Sequence, residues 1–349
     1  MLLSNKRASV AATLGHLGIV RLIERFGRKP GLVSLVYHRV GEPAREPFYR
    51  PLISATPAVF ERQMRRVRDA FRVIRLEELE SGGLLDDSGQ LHLTEPTALI
   101  TFDDGYRDNL TLAAPILQSL QLPATLFVTT GFVGERRLLP WWDRVAYAVQ
   151  ASPRSEITVD QPLAATLSLT GDRSHAVQRL INAFIARGWS ADEAELQELE
   201  TRTGIDLELR DALVDQLFLG RGELEQWVAC GFSIGAHTQS HRRLAGLAES
   251  ELDLELAGAR AQLELWLNNR KVASVAYPYG GPDAFDDRTK QAAAWAGYRL
   301  GFVLDPHQTR PGDSNDRWAL PRFAVGPADS AALLRARLAL ACWLNRSPL

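Results

Sequence analysis

The stretch TALITFDDGYRDN, residues 97–109, decides how this chain is read. Thr97 to Phe102 is a run of apolar and β-branched residues with the composition of a buried strand. The run stops at Asp103 and Asp104, and Gly105 then lets the backbone turn at no steric cost. A strand that ends this way delivers two carboxylates to the rim of a sheet. Consecutive strand side chains point to opposite sides, so the two acids are suited to different tasks.

Far downstream, GAHTQSH at residues 235–241 places His237 and His241 just after a second short apolar strand, Phe232 to Ile234. One carboxylate and two imidazoles can hold a divalent metal with positions left open for water and substrate. If Asp104 turns toward the histidines, Asp103 stays uncoordinated beside them and can take the proton of an attacking water. A backbone N–H near Tyr106 is placed to hold the resulting oxyanion. The chemistry implied is metal-assisted hydrolysis.

Working outward, LVSLVYHRV (residues 32–40) is a buried strand that ends at His38 and Arg39. Thr56 and Pro57 supply an N-cap and a first-turn proline for a helix running to about Phe71. Val73 and Ile74 form a short strand, and the stretch from Ser81 to Glu95 reads as a surface loop. Beyond the two acids come a helix over about 109–120, a strand from Ala124, and a strand leading to His237. A long helix over 249–267, a strand into AYPYG, a helix over 285–296, strands over 298–303 and 318–325, and a helix opened by Asp329 follow. This alternation implies an α/β fold whose parallel strands are joined by helices on the outside. Roughly seven such strands place His38, Asp103, Asp104, Thr129, His237 and Tyr277 at their C-terminal ends, which converge on one face in a βα barrel. Residues 150–220 break the rhythm with helices and one weak strand pair, and read as a mainly helical insertion. Residues 1–30 read as an amphipathic helix and 329–349 as a C-terminal helix, all within one domain spanning 1–349.

Composition sets the outer bounds. The 349 residues are 46% hydrophobic and 23% charged, enough for a large core. Forty basic against 42 acidic residues leave a net charge of −2, which favours neither nucleic acid nor an anionic membrane as partner. Cys230 and Cys342 lie far apart in no metal-binding spacing, as in a reducing compartment. His16, Arg21, Glu24 and Arg25 interrupt the N-terminal apolar stretch, so a cytoplasmic location is expected, with peripheral membrane association or export as the alternative. No window has the ~20 apolar residues of a transmembrane span. Oligomeric state is left open.

The set TFDDGYRDN, GAHTQSH and AYPYG, in that order, resembles the NodB-type polysaccharide deacetylases, also grouped as carbohydrate esterase family 4. The resemblance extends from LVYHRV near residue 33 to LPRFAV near residue 320 and is weakest over about 150–220. It implies a deformed (β/α) barrel and a metal-dependent hydrolase that removes N-acetyl groups from an N-acetylhexosamine glycan. The metal implied is zinc first, with cobalt, nickel or iron as alternatives. Residue by residue, it makes Asp103 the catalytic base, Asp104, His237 and His241 the metal ligands, and Tyr106 the backbone oxyanion donor. Tyr277, Pro278 and Tyr279 of the third motif are candidates for substrate contact. Trp141, Trp142 and Asp143 read equally as a substrate groove or as packing.

Two departures from that family stand out. The third motif lacks the arginine that orients the base, leaving Tyr277, Arg39 or Arg322 to do so. The late Leu-x-His motif of the general acid is also not evident, and His38 is the candidate in its place. Two other readings follow: a hydrolase of a non-sugar linear amide, and, because that arginine is missing, a catalytically weak saccharide-binding protein.

Overall fold

The computed structural model describes residues 29–344, apart from 82, 135–137, 189–190, 206–209 and 312–315. The helix expected over 1–30 therefore lies almost wholly outside the described residues. Seven strands form the barrel: β1 (Gly31–Tyr37), β2 (Pro96–Phe102), β3 (Thr125–Val128), β4 (Ser233–Ala236), β5 (Ser274–Ala276), β6 (Leu300–Leu304) and β7 (Leu320–Ala324). Each pairs in parallel with the next in sequence, and β1 closes the ring by pairing with both β2 (Leu35↔Ile100) and β7 (Ser34↔Arg322). A two-residue strand, Arg72–Val73, adds to the start of β2.

Parallel neighbours require long crossovers, and here helices supply most of them. The first, α1 (Pro57–Ala70), begins as the sequence predicts. The Thr56 hydroxyl accepts from the Val59 N–H, and Pro57 fills the first turn, where no donor is needed. Its apolar positions Phe60, Met64 and Val67 pack against Val33, Leu35, Ala98 and Ile100 on the outside of the barrel. The alternate strand positions point inward. On β2 this puts Leu99 and Thr101 inside, so that Asp103 continues the inward row.

One expectation fails. The stretch 81–95 is not merely a surface loop, because Leu85, Leu91 and Leu93 are buried. Together with Leu76 and Leu79 they pack on Leu32, Leu99 and Leu320 and seal the N-terminal end of the barrel. These leucines follow no helical or strand period, so a sequence pattern could not reveal that they fill an opening made by distant strands. Glu77 and Glu80 complete the seal by accepting from the hydroxyls of Ser233 and Ser274, the first residues of β4 and β5.

Between β3 and β4 the chain leaves the barrel and builds a second core. It contains α2 (Trp141–Ala151), an antiparallel hairpin of Glu156–Val159 and Ala165–Ser168, α3 (Ser174–Ala186), α4 (Glu193–Thr203) and α5 (Arg210–Leu217). Val145, Val149, Leu180, Phe184, Leu199 and Phe218 form its interior. Arg144 is buried there and forms a planar double hydrogen bond with Glu200, at 2.8 Å for both contacts. Among the described residues, no helix is long and apolar enough to cross a membrane. The last helix spans Ala331–Leu344.

Candidate active site

The C-terminal strand ends bring the two acids and two histidines together. Asp104 stands just past β2 with φ = 76°, a left-handed conformation that costs a non-glycine residue roughly 1–2 kcal/mol. This turn takes its carboxylate off the strand alternation and toward the β4 end. Gly105 continues it at φ = 95°, where a Cβ would press on Val133. Thr238, His241 and Tyr279 also adopt positive φ, so four of the eight such non-glycine positions among the described residues gather around this site.

Asp104 Oδ1 lies 3.6 Å from His237 Nε2 and 3.3 Å from His241 Nε2. His237 Nδ1 is 2.7 Å from the Ala276 carbonyl, which can only accept; Nδ1 therefore carries the proton, and Nε2 presents its lone pair to Asp104. Asp104 Oδ1 is buried and has no hydrogen-bond partner. One ligand atom from each of the three residues can be chosen so that all lie within 4.8 Å of one another. A carboxyl oxygen and two imidazoles converging, with the His237 Nε2 lone pair turned inward, are a donor set suited to a divalent cation. Burial, with the charges of Asp103 and Asp143, pushes the Asp104 carboxyl well above its ordinary range. Burial also lowers His237 to about 4 and His241 well below the usual imidazole value. All three groups are thus drawn toward neutrality, which a cation at their centre would reverse for the carboxylate.

Asp103 differs from its neighbour. Burial alone would raise its pKa, but Arg322 overcomes that and holds it at about 2. The guanidinium donates to both carboxylate oxygens, at 2.6 and 2.8 Å, and to the Thr101 hydroxyl at 3.3 Å. Arg322 is itself 1% exposed and comes from β7, the strand that closes the barrel onto β1. Of the three residues offered to orient Asp103, Arg322 is the one that holds it. Arg39 is bound to Asp108 and Glu46, at 2.8 Å each, and lies over the Tyr106 ring. Tyr277 borders the site, but its ring stacks on Phe285 and its hydroxyl ends against Gly301.

The remaining candidates divide. His38 is half-buried on the wall of the same cavity. Its backbone is fixed by the Ser54 hydroxyl, which accepts from its N–H, and by Asn109 Nδ2, which donates to its carbonyl. Burial lowers the His38 pKa, with Asp103 opposing and Arg322 assisting. Tyr106 turns its side chain into the insertion, where the hydroxyl donates to Asp143 at 2.9 Å and accepts from Trp142 at 3.1 Å. Only its backbone is left for the site. Tyr279 lies edge-on to His241, with ring centroids 4.8 Å apart, and its hydroxyl accepts from Trp141. Pro278 is buried outside the cavity wall.

The cavity above the cluster holds about 240 Å³. Its outer wall includes Tyr49, Leu52, Ile181, Ile185 and Leu304, none of which the motifs pointed to. Ile181 and Ile185 sit one turn apart on α3, a spacing that in sequence reads as core.

No curated protein matches the chain. Among solved structures it is similar to the deacetylase PplD of Streptococcus pyogenes, solved with acetate, at 18% identity. That alignment has a TM-score of 0.53 and covers 87% of this chain and 96% of that one. It is also similar to IcaB of Ammonifex degensii, at 21% identity and a TM-score of 0.54, covering 88% and 97%. A polysaccharide deacetylase of Bacillus cereus aligns at 16% identity and a TM-score of 0.53, covering 88% of this chain and 68% of that one. At these identities the likeness establishes the barrel fold. The polysaccharide deacetylase family model matches residues 91–162 and 163–301, more than half of the 349 residues and the whole span from TFDDG through AYPYG, so the chain belongs to the polysaccharide deacetylase family.

Proposed function

We propose that this protein is a metal-dependent hydrolase that removes the acetyl group from an N-acetylhexosamine unit of a glycan, with zinc as the metal. The observation that carries the reading is the contrast between two adjacent carboxylates. Asp103 is kept ionised by Arg322, while Asp104 faces two imidazole nitrogens with an oxygen that no protein donor satisfies. Asp104, His237 and His241 would hold the ion, and when bound it supplies Lewis acidity toward the amide carbonyl and toward water.

The rest falls to the chain's own side chains. Asp103, fixed by two hydrogen bonds, takes the proton from water as its oxygen bonds to the carbonyl carbon. The Tyr106 backbone N–H holds the carbonyl oxygen as its charge grows. His38, on the cavity wall and in the field of Asp103, delivers a proton to the amide nitrogen as the C–N bond breaks. Acetate and a free amine result. The binding-only reading rests on a missing arginine, and the two hydrogen bonds from Arg322 to Asp103 support the hydrolase reading over it. Acetate release from N-acetylglucosamine oligomers in the presence of zinc or cobalt tests the proposal. Release unchanged by Asp103→Asn contradicts it, and a His38→Ala variant with unaltered rate and pH profile removes His38 from the scheme.

A further inference from the structure

We infer that the substrate carries an aliphatic chain of several carbons close to its reacting amide, and that Leu52, Ile181, Ile185 and Leu304 bind that chain. The inference rests on the deacetylase reading for where the amide lies. The floor of the cavity is charged and polar, but these four wall residues are aliphatic and come from three separate places. Leu52 ends a 3₁₀ turn after β1, the isoleucines lie on α3 of the insertion, and Leu304 ends β6. Leu52, Ile185 and Leu304 are only partly buried, leaving apolar surface open to the cavity.

The indole N–H groups of the aromatic wall are already engaged within the protein. Trp141 Nε1 donates to the Tyr279 hydroxyl, and Trp142 Nε1 donates to the Tyr106 hydroxyl. A sugar ring pressed against the four aliphatic side chains would exchange water for surface that offers its hydroxyls nothing, at roughly tenfold in affinity for each unmet group. A hydrocarbon chain loses nothing there and gains about fourfold for each methylene buried. The methyl of an acetyl group is too small to account for an aliphatic surface assembled from a loop, an inserted helix and a strand end around about 240 Å³. The chain can belong to an N-acyl group longer than acetyl or to an aliphatic aglycone of the sugar.

Three compounds separate these sources in the zinc-loaded, full-length protein: the methyl β-glycoside of N-acetylglucosamine, its octyl β-glycoside below the micellar concentration, and the methyl β-glycoside of N-hexanoylglucosamine. Affinity is read by titration calorimetry and turnover by release of the free amine. The expected result is at least about tenfold tighter binding of one long-chain compound than of the methyl N-acetyl reference, and which one it is names the source. Ile185→Ser should cut that gain at least threefold, with turnover of the reference compound unchanged. Leu304→Ser should do the same and serves if the first variant does not fold. Equal binding of all three compounds, or a gain that survives both substitutions, overturns the inference. If no compound releases its amine, the deacetylase reading fails, while the binding comparison still decides this one.

Discussion

At the N-terminal end of the barrel, Leu76, Leu79, Leu85, Leu91 and Leu93 close the interior against the first residues of the strands. At the other end the same strands release Asp103, His237 and Arg322 into a cavity. Both ends contain carboxyl groups, the half-buried Glu80 at one and the buried Asp103 at the other, and they are held differently. Glu80 meets a serine hydroxyl, and burial lifts its pKa to about 7. Asp103 meets a guanidinium and stays near 2. A barrel can therefore separate stability from reactivity along its own axis: the sealed end needs only to exclude water, while the open end keeps charges that only opposite charges or ions make tolerable.

The sharpest test of that division is Asp103→Asn. It should lower acetate release by about 10²–10⁴, the range for losing a general base, with near-native circular dichroism. Arg322→Met comes next. It strips a buried carboxylate of its partner and should cost roughly 3–5 kcal/mol in chemical denaturation, along with most of the activity. At the sealed end, Leu85→Ala should cost about 2–4 kcal/mol of stability, yet leave kcat/KM of the folded enzyme within about twofold at 25 °C. A large rate loss there would mean that the two ends are not independent.

The smallest effect concerns pH. The folded-state pKa of Glu80 lies near 7, above its ordinary value of 4.5, because burial penalises its charge, with Ser274 and Arg299 opposing. Between those values the unfolded chain has released the proton and the folded protein still holds it, so stability declines as pH rises from 4.5 through 7. Glu80→Gln removes that decline. Compared with the parent protein it should gain ~1–3 kcal/mol at pH 8 relative to pH 4, measured by urea titration at both values.

The sequence was most informative where chemistry and local structure coincide. The strand ending in Asp103 and Asp104, the paired histidines and the alternation of strands with helices could all be read directly. Each depends on neighbours a few residues away: a side-chain period, a glycine at a turn, or histidines four apart. The α1 cap at Thr56 belongs to the same class. What could not be read depends on closure. Arg322 was only one of three candidates for supporting Asp103, because nothing near Leu320–Ala324 in the chain shows that β7 returns to β1. The leucines of 81–95 looked like surface for the same reason. Nothing in the sequence marked Ile181 and Ile185, which line the cavity only because the insertion folds over the strand ends.

The sequence by itself determined which carboxyl and imidazole groups stand at the strand ends and the order of the strands, because side-chain identity and local periodicity are properties of short segments. Only the tertiary structure decided which arginine keeps Asp103 ionised, which end is sealed, and what lines the cavity. Those are contacts between residues outside one another's local segment, and that of Arg322 with Asp103, 219 positions apart, exists only once the last strand pairs with the first.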